Sequence, residues 1–127
     1  MIASPTTSEA QALAGDCLVT GATGLVGNNV VRLLLQRGRR VRVLVRPDGS
    51  SAGRPLAGLQ VETVPADLLD AAGMRRAVDG AASVVHSAAM VHVGWRQLDQ
   101  MRRVNVEGTR TVARATRLAG VRMVHVS

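Results

Sequence analysis

The chain has 127 residues, 46% of them apolar and 20% charged, which suits one globular domain with one core and excludes a disordered chain. Its single cysteine excludes an internal disulfide framework, and no apolar stretch approaches the length that spans a bilayer. The formal net charge is +7, from 16 basic and 9 acidic residues, and every basic residue is Arg; such an excess fits a polyanion-binding surface, yet no nucleic-acid-binding motif accompanies it.

Residues 1–15 are small and polar and lack the basic start and apolar run of a signal peptide, so they read as a mobile leader, and a soluble, cytoplasmic protein is the default expectation. DCLVT, residues 16–20, is a short apolar run of the kind that forms a buried parallel strand, with Cys17 as a small core residue. Val26, Val30, Leu33 and Leu34 recur at helical spacing and predict an amphipathic helix ended by Gly38. VRVLV, 41–45, predicts the second strand, and the Pro-, Gly- and Ser-rich stretch 46–58 a loop with little helix. A third strand is expected over 60–65 and a short helix over 70–79, with Asp70 placed to cap it and Gly80 to close it. ASVVH, 82–86, predicts the fourth strand. A longer helix follows over 97–119, burying Met101, Val104, Gly108, Val112, Ala115 and Ala119, before a fifth strand at 121–126. Strands alternating with helices imply an α/β fold: a Rossmann-like, doubly wound parallel sheet over residues 16–127, interrupted after its fifth strand, which is then an open edge.

The strongest local signal is TGATGLVG, residues 20–27, which lies between the first strand and the first helix. In that setting Gly21 permits a tight turn, Gly24 lets backbone approach a pyrophosphate, and Gly27 lets helix and strand pack closely. Thr23 lies within the loop, and the backbone N–H groups near Leu25 and Val26 open the helix toward an anion. About 20 positions further on, where the chain should reach the adenosine ribose, stands Arg46. Its planar fork suits a 2′-phosphate and so favours NADP over NAD, although Asp48, two residues later, is placed to reach ribose hydroxyls. His86 reads as a packed strand-end residue and His92 as a loop residue. Neither has Cys or acidic neighbours at metal-ligand spacing, so no metal is expected. Trp95, the only large aromatic, either stacks on a substrate or covers the edge of the core.

TGATGLVG resembles the cofactor loop of the extended short-chain dehydrogenases/reductases, the NAD-dependent epimerase/dehydratase family. ADLLD at 66–70, HSAA at 86–89 and NVEGT at 105–109 follow in the family's order; HSAA and NVEGT, with VRP at 45–47, resemble its dihydroflavonol-reductase-like or 3β-hydroxysteroid-dehydrogenase-like branch, and hopanoid-associated sugar epimerases are also similar. The resemblance implies that the Asp67 carboxylate accepts from the adenine amino group beside Leu68. It implies that Ser87, Ala88 and Ala89 run along the cofactor with side chains small enough to clear it. It further implies that Asn105 helps order the catalytic region while Gly108 lets its helix pack closely. Members transfer hydride at an oxygen-bearing carbon of sugar nucleotides, flavonoids or sterols, with a Tyr–Lys pair and a Ser or Thr. This chain contains no Tyr and no Lys, and Ser127 stands at the start of the family's Ser/Thr run as a candidate for the catalytic hydroxyl.

On this reading the chain is the cofactor-binding portion of such an enzyme, inactive alone, with a nicotinamide dinucleotide and a small-molecule substrate as partners. No membrane or nucleic acid is expected, and homodimerisation of a full-length form is left open. Two alternatives stand beside it: a non-catalytic NAD(P)-sensing module of the same fold, and a basic nucleic-acid-binding domain in which Arg103, Arg110, Arg114 and Arg117 share one helix face.

Overall fold

A computed structural model describes residues 15–49, 53–90 and 95–126. Residues 1–14 of the expected leader over 1–15, His92 and Ser127 lie outside the described residues. The elements run β1 (Asp16–Thr20), α1 (Leu25–Gln36), β2 (Val41–Val45), a 3₁₀ turn (Arg54–Leu56), β3 (Glu62–Pro65), α2 (Ala71–Val78), β4 (Ala81–His86), α3 (Leu98–Arg102), a π turn (Arg103–Glu107), α4 (Gly108–Ala119) and β5 (Arg122–His125).

The strands form one parallel sheet in the order β3-β2-β1-β4-β5. The chain steps outward from β1 to β2 and β3, then returns to the other side of β1 for β4 and β5. This is the doubly wound arrangement that alternating strands and helices predict. Successive side chains of a strand point to opposite faces, and the two cores follow from that rule. Cys17, Val19, Val41, Val43 and Val45 face α1 and meet Val31 and Leu56. Leu18 and Val84 face the other way, into Met74, Ala77 and Val78 of α2 and Val112 and Ala115 of α4. Small aliphatic side chains fill both layers, so close backbone approach does the work that aromatic rings do elsewhere. Among the described residues β5 has β4 as its only strand neighbour, and Val124 on it is 55% exposed.

Two helices differ from the expected pattern. In α1 the inward residues are Gly27 and Val31, with Val30, Leu34 and Leu35 partly buried, while Val26 and Leu33 are exposed. The helix is rotated because its closest approach is at Gly27: a Cβ there would stand 2.1 Å from the Gly21 carbonyl oxygen and 3.2 Å from Ala22 Cα. That contact, not the largest apolar residues, decides which face turns inward. The long helix is not uniform: a π turn separates α3 from α4, with the Gly108 N–H donating to the Arg103 carbonyl. In α4 the buried set is Gly108, Val112, Ala115 and Thr116, while Ala119 is exposed in the last turn, where the helix leaves the sheet. Gly108 seats the helix on its neighbour as expected; a Cβ there would lie 3.3 Å from Leu68 Cβ.

At the opposite end from the glycine loop, Asp16 pairs with Arg40 and Arg42, each at 2.9 Å. Arg42 also donates to the Ala77 carbonyl at 3.0 Å, tying β2 to the end of α2. Asp70 stands at the start of α2, but its side chain makes no capping bond there; it lies 4.0 Å from Arg76 instead.

The Gly27 contact sets a test of the fold. Gly27→Ala forces the loop and helix apart and is expected to lower stability by about 3 kcal/mol, at the upper end for overpacking. Urea unfolding followed by far-ultraviolet circular dichroism measures it, and an unchanged midpoint would remove this contact as the seat of α1.

Candidate functional site

A cleft of about 840 Å³ opens at the carboxyl ends of β1 to β4, across the point where the strand order reverses. This is where open parallel sheets bind ligands, and the volume is that of a small-molecule site. One wall is the glycine loop. Gly21 has φ +71° and lies so close to the segment after β4 that a Cβ would come within 2.6 Å of the Ala88 nitrogen. Gly21 and Gly27 are therefore required by the packing of the protein itself.

Gly24 is different. Its backbone is extended, with φ −80° and ψ 171°, and a Cβ there would make only an ordinary contact at 3.5 Å with the Gly21 carbonyl. Neither strain nor packing demands glycine at this position. The space beside it belongs to the cleft and to a shallower hollow of about 500 Å³ on the other side of the loop. Gly24 is also the cap residue of α1, and the first N–H groups of a helix have no partner within it. A bare backbone, a helix start and open space meet here, a cradle suited to an anionic group. Leu25 and Val26, which follow Gly24, do not line the cleft; they are 83% and 47% exposed. The loop is braced from behind by Asn28, whose Nδ2 donates to the Ala22 carbonyl at 3.1 Å and the Pro55 carbonyl at 2.8 Å.

The other expected residues converge on the same cleft. Thr23 lines it from the loop, Arg46 and Asp48 just past β2, and Asp67 and Leu68 just past β3. Asp67 accepts from the Leu69 N–H at 2.8 Å through Oδ1, which fixes the carboxylate at the rim. Ser87, Ala88 and Ala89 form a small-residue shelf after β4. Asn105 does not line the cleft. Its Oδ1 accepts from the Met90 N–H at 2.7 Å and its Nδ2 donates to the Met90 carbonyl at 2.9 Å, so it clamps the strand-to-helix connection as another strand would. Trp95 is 88% exposed, which rules out cover for the core edge as its role.

The shelf hangs on a residue whose part sequence reading missed. Thr20, buried at the end of β1, accepts through Oγ1 from the N–H groups of Ser87 and Ala88, both at 3.1 Å. With those two bonds accepted, its one proton donates to His86 Nδ1 at 2.6 Å. His86 is then neutral, with its proton on Nε2, which donates to Thr109 Oγ1 at 2.9 Å. Burial, and secondarily the charge of the stacked His125 ring at 5.3 Å, hold the His86 pKa at about 4, so this tautomer persists across the neutral range. The chain β1–β4–α4 is thus joined by three side chains beneath the cleft. A threonine opening a glycine loop is the only sequence signal for it.

Arg103 is a second omission. It lines the cleft together with Gln100 and Val104, whereas α-helical spacing had placed it on the solvated row with Arg110, Arg114 and Arg117. That row keeps the other three, all exposed, with Arg110 paired to Glu107 at 3.0 Å. Among the described residues no group of three His, Cys, Asp or Glu is placed to hold a metal ion, and no helix is long and apolar enough to cross a membrane.

Comparison with known proteins places this geometry. The model of the NAD dependent epimerase/dehydratase family matches residues 17–127. The chain is 43% identical over 111 residues to sterol demethylase protein B of Methylococcus capsulatus, covering 87% of this chain and 33% of that protein. It is 38% identical over 120 residues to a 3β-hydroxysteroid dehydrogenase/Δ5→4-isomerase of Mycobacterium tuberculosis, covering 89% and 31%. Among solved structures it is similar to a short-chain dehydrogenase/reductase superfamily protein of Agrobacterium tumefaciens with bound NAD. The TM-score there is 0.72 at 37% identity, over 88% of this chain and 32% of that one. The chain spans about a third of the length of these relatives.

The buried histidine makes stability depend on pH in a defined direction. Folded chain keeps His86 neutral down to about pH 4, while the unfolded chain protonates it near 6.5. The unfolded state therefore binds the extra proton between those values, and stability is full above 6.5 and falls as pH drops toward 4. Denaturant unfolding should show a loss of about 2 kcal/mol between pH 7 and pH 5. The His86→Asn variant should show a clearly shallower loss over the same window; equal slopes would mean that His86 protonates in the folded chain.

Proposed function

The chain belongs to the NAD dependent epimerase/dehydratase family, matched over residues 17–127, and from that premise we propose that it is the dinucleotide-binding portion of an oxidoreductase or epimerase acting at a hydroxyl- or carbonyl-bearing carbon. The observation that carries this reading is Gly24: a glycine that the protein's own packing does not require, at the start of α1, facing open cleft. A ligand whose atoms occupy the volume of a Cβ explains it, and a pyrophosphate against backbone N–H groups is such a ligand.

The residues then divide the work. Main-chain N–H groups from Leu25 and Val26 hold the pyrophosphate. Arg46 and Asp67 meet the adenosine ribose and the adenine amino group, and Leu68 flanks the base. The Ser87–Ala89 shelf, held by Thr20, keeps the path along the cofactor clear. A bound nicotinamide supplies hydride exchange at the substrate carbon; these residues bind and orient. Arg46, with its bidentate donors, favours NADP, while Asp48 beside it is the group that would favour NAD. Of the sugar-nucleotide, flavonoid and sterol-like substrate classes, the names of the two curated relatives favour the sterol-like one.

The 127 residues hold no Tyr and no Lys, so a Tyr–Lys acid/base pair is not supplied by them, and the chain alone binds without turnover. A second reading is an NAD(P)-sensing module of this fold, which holds the dinucleotide without the acid/base pair. Supplying the missing pair from a longer form of the protein would separate the two: turnover favours the enzyme, and binding without turnover the sensor.

Calorimetric titration with NADPH and NADH tests the binding reading. Gly24→Val should lose both ligands while its unfolding midpoint stays unchanged. Arg46→Ala should weaken NADPH by roughly ten- to hundredfold, the range of a charged hydrogen bond, and leave NADH unaltered. Tighter NADH binding by the unaltered chain would reverse the NADP preference, and no binding of either by a cooperatively folded chain would overturn the proposal.

A further inference from the structure

The helical wall opposite the glycine loop carries a stripe with two halves. Toward the C-terminus, Gly108, Val112, Ala115 and Thr116 are buried, and Gly108 rests on Leu68. Toward the N-terminus the wall overhangs the cleft, and Gln100, Arg103 and Val104, at helical i, i+3, i+4 spacing, line it. Arg103 does not belong on that face by α-helical geometry. At about 100° per residue it would lie about 140° round from Gly108, and, seven residues before Arg110, within about 20° of the solvent row.

The π turn resolves this. Gly108 donates to the carbonyl of Arg103, five residues back, so the backbone winds wider between them. The extra residue brings Arg103 round toward the side on which Gly108 is seated, off the row of Arg110 and Arg114 and onto the cleft. Single π turns inside α-helices are frequent at functional sites. The cleft that Arg103 lines also holds Asp67, Leu68 and Leu69 beyond β3, and Gly108 of the same helical wall rests on Leu68. One carboxylate acceptor among apolar side chains suits a flat heteroaromatic base with an amino group, and a guanidinium plane is the cation that stacks on such a base.

We propose that Arg103, delivered to the cleft by the π turn, is a cofactor-binding residue that lies against the purine of the dinucleotide. This rests on the binding reading above and adds to it a residue that neither motif nor spacing assigns. The test is calorimetric titration with NADH, which lacks a 2′-phosphate, of the unaltered chain and of Arg103→Ala and Arg103→Lys. Arg103 is exposed, so both variants should keep the parent's unfolding midpoint. Arg103→Ala should weaken NADH roughly tenfold, within the range of a stacked cation, and Arg103→Lys should recover only part of that loss, because an ammonium keeps the attraction of a cation for a ring face but has no plane to stack. Full binding by Arg103→Lys would make the contact a phosphate contact and overturn the purine assignment. Undiminished binding by Arg103→Ala would overturn the inference while leaving the binding reading intact, and no binding by the unaltered chain would overturn both.

Discussion

The contact of Gly27 with the Gly21 carbonyl decides more of this molecule than any other. Where a Cβ would stand 2.1 Å from that oxygen, only hydrogen fits, and α1 can lie against the end of β1. The phase of α1, with Gly27 and Val31 inward, follows from it. So does the placement of Gly24 at the helix start, and thereby the bare backbone that faces the open volume. Packing demands glycine at position 27 and leaves position 24 free of that demand.

The second organising device is polar. A cleft at the ends of parallel strands leaves the segments beyond those strands without sheet partners. In this chain the Thr20 hydroxyl supplies one anchor, accepting from Ser87 and Ala88, and the Asn105 amide supplies another, bonding both main-chain groups of Met90. His86, neutral and buried, links the first anchor to Thr109 on α4. Each group beneath the shelf is matched donor to acceptor, which is what burial without water demands.

Much of this was legible from the residues. Alternating apolar runs and helical spacings were enough for five parallel strands in a doubly wound sheet. The segments TGATGLVG, VRP, ADLLD and HSAA all reach the same cleft. What escaped was phase and exception. Val26 and Leu33 look like an inward face because apolar periodicity weighs side chains by size, and it cannot see that a backbone contact at Gly27 outranks them. Arg103 looked solvated because periodicity assumes an unbroken α-helix; a single wider turn within RVNVE changes which side it takes. Asn105 was expected near the reacting end, but its role as a backbone clamp depends on Met90 arriving 15 residues earlier in sequence, a tertiary meeting that no local pattern encodes.

A core made of Val, Leu, Ala and Met has an optical consequence. The chain has no Tyr and a single Trp, and Trp95 is already 88% exposed in the folded state. Its indole meets nearly the same water before and after unfolding, so intrinsic fluorescence will barely register the loss of the fold, and unfolding of this chain has to be followed through its backbone.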